Sequence, residues 1–268
     1  MADTADRSRN EGLDAELARR LQAALTADHA GLFAILQAPA PEVLRAALRN
    51  RHLGEEHLLA LLKRRDLPED LPKAIAGLAV YRESHRVKVA LAMNPATPGP
   101  LLSSLLPHIY LFELLNLCIL PGTTPDQRVA AERVILQRLP TVELGHKLTL
   151  ARRGTPPLLD ALLREGEPHL VEACLTSPRL REASLLQFLN GPTPSAETIS
   201  MIARHPRWKA RPNLRLAILK NRKTPQVWFT LFLPALRVPD LNNLLAGRRL
   251  TTVQKQLVTT ELKRRGSL

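Results

Sequence analysis

The chain is short of the residues that announce most functional classes. It holds two cysteines, Cys118 and Cys174, far apart, set among leucines and without a C-x-x-C pair. Neither a disulfide framework nor a cysteine metal site is expected, and both are read as reduced core residues. Aromatic residues make up 3% of the chain and runs of β-branched residues are missing, which argues against strands. The longest apolar stretch, Ile109 to Leu120, is interrupted by Glu113 and Asn116 and is too short to span a bilayer. The residues from Met1 to Gly12 are polar and charged, unlike a signal peptide or a lipidation site, so no membrane insertion and a cytoplasmic location are expected.

Catalytic signatures are also missing. There is no G-x-x-x-x-G-K-[ST] loop, no G-x-G-x-x-G, no G-x-S-x-G and no H-E-x-x-H, so no enzyme activity, cofactor or metal is expected. His52 and His57 are five apart, poor spacing for two ligands on one helical face, and are read as surface or turn residues. Glu165, Glu167 and His169 are read as a solvated turn around Gly166 and Pro168. Glu55-Glu56 and Glu69-Asp70 follow expected helix starts, where carboxylates favour the positive end of the helix dipole.

What is present is leucine, alanine and proline. Apolar residues make up 45%, which fits helices, while 22 prolines argue for many short helices begun at proline rather than a few long ones. Thr-Pro recurs at 97-98, 124-125, 155-156, 193-194 and 224-225, with successive spacings of 27, 31, 38 and 31. The reading is that Thr caps and Pro opens each helix, at the period of stacked helix pairs.

The chain also repeats itself over a longer distance. Asn94-Pro95-Ala96-Thr97-Pro98 returns as Asn221-Arg222-Lys223-Thr224-Pro225, so that position 97 recurs at 224, an offset of 127. The same offset pairs Leu106-Pro107 with Leu233-Pro234, Asn116-Leu117 with Asn243-Leu244, Thr124 with Thr251, Glu55 with Glu182, Ile75-Ala76 with Ile202-Ala203, and Pro41 with Pro168. The expected fold is all-α: an α-solenoid of helix pairs in two tandem copies of a unit of about 127 residues. A disordered tail over 1–13, a first half over 14–140 and a second half over 141–268, read as one continuous solenoid, are the expected divisions.

Val89-Ala90-Leu91-Ala92-Met93-Asn94-Pro95-Ala96-Thr97-Pro98 resembles the consensus turn of the leucine-rich-repeat variant and related HEAT-like bacterial repeats. Leu216 to Pro225 matches it in part, with Arg222 and Lys223 replacing the Pro-x of the phrase. The resemblance implies a right-handed superhelix that binds a partner and carries no shared activity. It also brings in HEAT-like DNA glycosylases, which pair an acidic residue with aromatics in a basic cleft. In the basic part of this chain only Asp240 and Glu261 are available for that role, and capping is the simpler reading of Asp240.

Charge supplies the remaining signal. The net charge is +13, and the stretch from Arg204 onward holds 15 Lys and Arg against Asp240 and Glu261, so the whole excess lies there. Arg222-Lys223 and Arg248-Arg249 precede expected helix starts, whereas their counterparts at the offset of 127 are Pro95-Ala96 and Pro121-Gly122. These four residues are candidates for one basic edge beside helix N-termini, with Arg152-Arg153 as an extension. Solvated turns that keep the chain soluble are the alternative. Lys209, Arg211 and Arg215 are further cationic candidates, and Trp208 is a candidate stacking surface among them. Its counterpart is Tyr81, and an aromatic kept in both copies when only one is basic speaks for packing. The expected partner is a protein, an acidic one among the options, or a nucleic acid held by the basic half.

Overall fold

The computed structural model describes residues 15–247 and 249–266, and no strand occurs among them. The expected tail over 1–13 and Arg248 lie outside the described residues. The chain divides into two compact units, Met1–Ile135 and Leu136–Leu268. No helix among the described residues is long and apolar enough to cross a membrane.

Unit 1 holds α1 (15–26), α2 (His29–Ile35), α3 (Pro41–Ala47), α4 (Glu55–Leu61), α5 (Asp70–Ala76), α6 (Ala79–Glu83), α7 (His85–Met93), α8 (Gly99–Leu105) and α9 (Leu111–Ile119), and α10 (Pro125–Arg138) begins in it. Unit 2 holds α11 (Leu144–Arg153), α12 (Pro156–Glu165), α13 (Pro168–Thr176), α14 (Glu182–Asn190), α15 (Ala196–Arg204), α16 (Pro212–Lys220), α17 (Gln226–Phe232), α18 (Val238–Ala246) and α19 (Thr252–Arg264). The starts of α2 and α12, α3 and α13, α4 and α14, α7 and α16, α8 and α17, α9 and α18, and α10 and α19 all stand at the same offset of 127. Burial follows the same spacing: Leu58 and Leu185, Val87 and Leu214, Leu91 and Ile218, Leu114 and Leu241, and Ile135 and Leu262 are each at most 1% exposed. Removing each such side chain from water contributes about 1.5–3 kcal/mol, which offsets the ordering of the short helices.

Short helices leave many terminal carbonyls unpaired. Here side chains from the next helix pair reach back to them. Asn50 donates to the carbonyls of Ala24 and Ala27, Asn94 to those of Leu62 and Arg64, and Asn221 to that of Leu189. Arg64 reaches Leu36 and Ala38, Arg207 reaches Ser177 and Leu180, and Arg265 reaches Leu233 and Leu236. Two arginines counted in the basic excess, Arg207 and Arg265, therefore close helix ends.

Three of the five Thr-Pro pairs work differently from their expected capping role. Thr97 and Thr224 are buried, and their hydroxyls donate backward to Leu91 O and Ile218 O of the preceding helix. The following proline is extended and stands at the cap, one place before the first helical residue. At 193-194 the capping residue is Ser195, which exchanges bonds with Thr198. Thr124 does accept from Gln127 N, while Thr155 stands at the N-cap of α12 with Pro156 in its first turn but makes no side-chain capping bond.

His57 also departs from its surface reading. It is fully buried, its Nδ1 accepts from Gly54 N at 3.0 Å, and its Nε2 lies 2.9 Å from His29 O, so it ties the start of α4 to the start of α2. Glu165 pairs with Lys147 at 2.8 Å and Glu167 caps α13 by accepting from Leu170 N. Both cysteines are buried, and burial pushes each thiol up to about 12. Since the thiolate is the reactive form, iodoacetamide at mildly alkaline pH should alkylate neither cysteine in the native protein and both in urea, as read by intact mass.

Candidate anion-binding groove

Three segments of unit 2 meet around a cavity of about 390 Å³: the end of α14 with Leu189 to Pro192, the end of α16 with Lys220 to Lys223, and Arg249 before α19. A second cavity of about 510 Å³ shares Asn190, Lys220 and Arg249 and adds Asn243, Leu244, Gly247 and Leu250. Shared walls make them one groove. Lys220, Arg222, Lys223 and Arg249 line it and are exposed.

The backbone beneath these cations is pinned from three sides. Asn221 closes α16, donating to Leu189 O at 2.7 Å while its Oδ1 accepts from Lys223 N at 3.0 Å. Thr224 ties the turn to Ile218 O, and the Gln254 amide of α19 donates to Arg222 O and Thr224 O at 3.1 and 3.0 Å. Lys223 Nζ donates to Pro192 O at 3.0 Å across the groove. The turn thus presents its two cations from a fixed frame, and little ordering remains to be done when a ligand arrives.

Among the described residues no carboxylate lines this groove or pairs with any of the four cations. Positive charges so gathered repel one another, and an entering anion relieves that repulsion. The two acids of the basic stretch are held elsewhere. Asp240 pairs with Arg237 at 3.0 Å, and Glu261 accepts from Arg264 and Arg265, which hold its carboxyl below the usual range.

Of the four residues expected to form one basic edge, Arg222, Lys223 and Arg249 come together, and Arg248 lies outside the described residues. Lys209 and Arg211 precede α16, whose nine residues span about 13 Å, and Arg215 stands early in the helix, about 7.5 Å along its axis from Lys220. Arg215 Nε donates to Lys209 O at 2.7 Å and its guanidinium sits 5.3 Å from the Phe232 ring, so it packs rather than waits for a ligand. Arg211 faces Glu182 at 4.0 Å, while Lys209 is exposed. Trp208 is 3% exposed, with its indole N–H on Leu175 O at 3.3 Å and the Arg207 guanidinium over its ring at 4.3 Å. It is a packing element with no face for stacking. Arg152 and Arg153 end α11 and do not line the groove.

The helix-terminus argument also changes. The groove abuts the carbonyl ends of α14 and α16, which favour cations, and at the start of α19 the Gln254 N–H is already accepted by Thr251 Oγ. Anion attraction therefore rests on side-chain charge. Lys220, Asn190 and Asn243 were not among the sequence candidates. The sequence signal for Lys220 is that it stands 127 positions after Met93, so charge replaces an apolar residue inside the helix as well as in the turn. No group of His, Cys, Asp and Glu suited to a metal occurs among the described residues. Comparison with protein-family models, with curated proteins and with solved structures finds no match.

Proposed function

We propose that the chain is a non-enzymatic binding module, an α-solenoid of two tandem copies of one unit, whose second copy holds an acidic polypeptide partner in the groove at Lys220, Arg222, Lys223 and Arg249. The observation that carries this reading is four exposed cations on a pinned backbone with no carboxylate among the groove-lining residues. Matched helix starts and matched burial in the two units support the duplication. The engagement of Asp240 and Glu261 by arginines supports a role without catalysis.

A polypeptide is favoured over a nucleic acid by the rest of the lining. No aromatic side chain lines the groove, so bases have nothing to stack on, and Asn190 and Asn243 offer amides that suit peptide groups. The test uses labelled octaglutamate beside single- and double-stranded oligonucleotides at low and moderate salt. Octaglutamate should bind in a salt-sensitive way. Changing Lys220, Arg222, Lys223 and Arg249 together to Ala should weaken it roughly thirtyfold, from about 0.5 kcal/mol per exposed charge pair, with little change in thermal midpoint. Preference for oligonucleotide would replace the acidic polypeptide by nucleic acid. Salt-insensitive binding, or equal binding by the variant, would overturn the assignment of the groove.

A further inference from the structure

The basic groove has a counterpart of different chemistry at the matching place in unit 1. There a cavity of about 520 Å³ lies between Leu59 and Leu62 at the end of α4, Val89, Ala90 and Met93 of α7, and the turns at Pro95 and Pro121-Gly122. Met93, Pro95 and Gly122 occupy the places held in unit 2 by Lys220, Arg222 and Arg249. The frame beneath is the same: Asn94 donates to Leu62 O and accepts from Ala96 N, as Asn221 does with Leu189 O and Lys223 N. One interhelical groove thus recurs with a cationic wall in unit 2 and an apolar wall in unit 1.

The rim of the apolar groove is charged. Lys63 and Arg65 are exposed, and among the described residues neither is paired with a carboxylate. By contrast Arg86 is paired with Glu55, while the Glu113 carboxylate, also in the lining, is hydrogen-bonded by His85 and by Tyr110 N. Arg65 is held in place, since its Nη1 donates to Gly122 O at 2.8 Å and its guanidinium lies over that residue. Gly122 has φ +96, and a Cβ there would collide with the Arg65 guanidinium. The left-handed turn favours glycine, and the bare backbone there lets the guanidinium rest against it, so the rim cation packs directly on the apolar wall.

We infer that this groove docks an amphipathic segment of a partner protein: a large aliphatic side chain enters between Leu59, Val89 and Met93, and a neighbouring carboxylate meets Lys63 and Arg65. The volume lies within the roughly 300–1,000 Å³ of sites that enclose a substantial apolar group. Charge complementarity selects the acidic flank, because the two cations without a carboxylate partner, Lys63 and Arg65, outnumber Glu113 in the lining. The inference goes beyond the basic groove of unit 2 and can fail or hold without it.

The test uses the full chain and a labelled octapeptide of alternating Glu and Leu, with photoleucine in place of leucine for cross-linking. Octaglutamate and an alternating Ser-Leu peptide serve as comparisons. Cross-links are expected in α4 and α7, and both comparison peptides should bind unit 1 at least tenfold more weakly. Met93→Lys should weaken the Glu-Leu peptide about tenfold despite adding a positive charge, which isolates the apolar contribution. The fold should tolerate it, since Lys220 stands at the matching place in α16. Lys63→Ser with Arg65→Ser should weaken the same peptide through the rim. The fourfold Ala variant of unit 2 should leave these cross-links in place. Cross-links confined to unit 2, or Glu-Leu binding indifferent to Met93→Lys, would overturn the inference while leaving the basic groove standing.

Discussion

Replacing Trp208 by alanine should destabilise unit 2 by about 3–5 kcal/mol, the cost of emptying a large buried aromatic site. The indole is 3% exposed and lies under the Arg207 guanidinium at 4.3 Å, and its N–H reaches Leu175 O. Arg207 in turn donates to Ser177 O and Leu180 O, so removing the ring also loosens the side chain that closes those carbonyls. Trp208→Phe keeps most of the packing and loses the N–H bond, so its expected cost is smaller, about 1–3 kcal/mol. Urea unfolding midpoints read both effects, while octaglutamate affinity at low denaturant should be that of the wild type. A Trp208→Ala protein as stable as the parent but weaker in binding would return the ring to the ligand-contacting role that its burial denies it.

Asn94→Ala should cost unit 1 about 2–4 kcal/mol, because one side chain serves three backbone groups whose partners it removes together. Its amide donates to Leu62 O at 2.9 Å and Arg64 O at 2.7 Å, and its carbonyl accepts from Ala96 N at 2.9 Å in a site 2% exposed. Alanine leaves these groups unpaired, at a penalty of about 1–3 kcal/mol for each one that water cannot reach. Asn94→Asp is a sharper probe. A carboxylate there would face two carbonyl oxygens, whereas the neutral acid could donate to one of them, so folding should raise its pKa above the unfolded value. The variant should be most stable below the unfolded pKa and lose stability as pH rises through the folded one. Thermal midpoints from acid to neutral pH check this sign, and a midpoint for Asn94→Asp that rises with pH relative to wild type would contradict the hydrogen-bond assignment.

Much of the helical character was legible because it rests on local rules. Leucine and alanine with proline at intervals near thirty residues mark short helices, and several leucines that recur 127 positions apart, such as Leu58 and Leu185 or Leu114 and Leu241, are buried in both places. What escaped was the direction of the polar bonds. Thr97 and Thr224 look like caps of the helix ahead, yet both face the helix behind, a choice set by the extended proline that follows. His57 looks like a surface residue because its two partners, Gly54 N and His29 O, are backbone groups that a residue pattern does not display. The candidate groove was legible at Arg222, Lys223 and Arg249, where the positions 127 residues earlier carry no charge. Lys209, Arg211 and Arg215 belong to the same run of charge but stand before α16 or early in it, and a linear charge map does not tell the two ends of a helix apart.

The side chains that reach back to the preceding helix pair have a bearing on how the chain folds. The ties made by Asn50, Asn94, Trp208, Asn221 and Gln254 join residues 23 to 33 positions apart. Each therefore closes a loop of one helix pair, and no pairing of distant segments has to be found before these bonds can form. Loop closure of that length is entropically mild, so each of these bonds can form as soon as the helix it ties and the one it reaches back to are both in place, before residues further along the chain have settled.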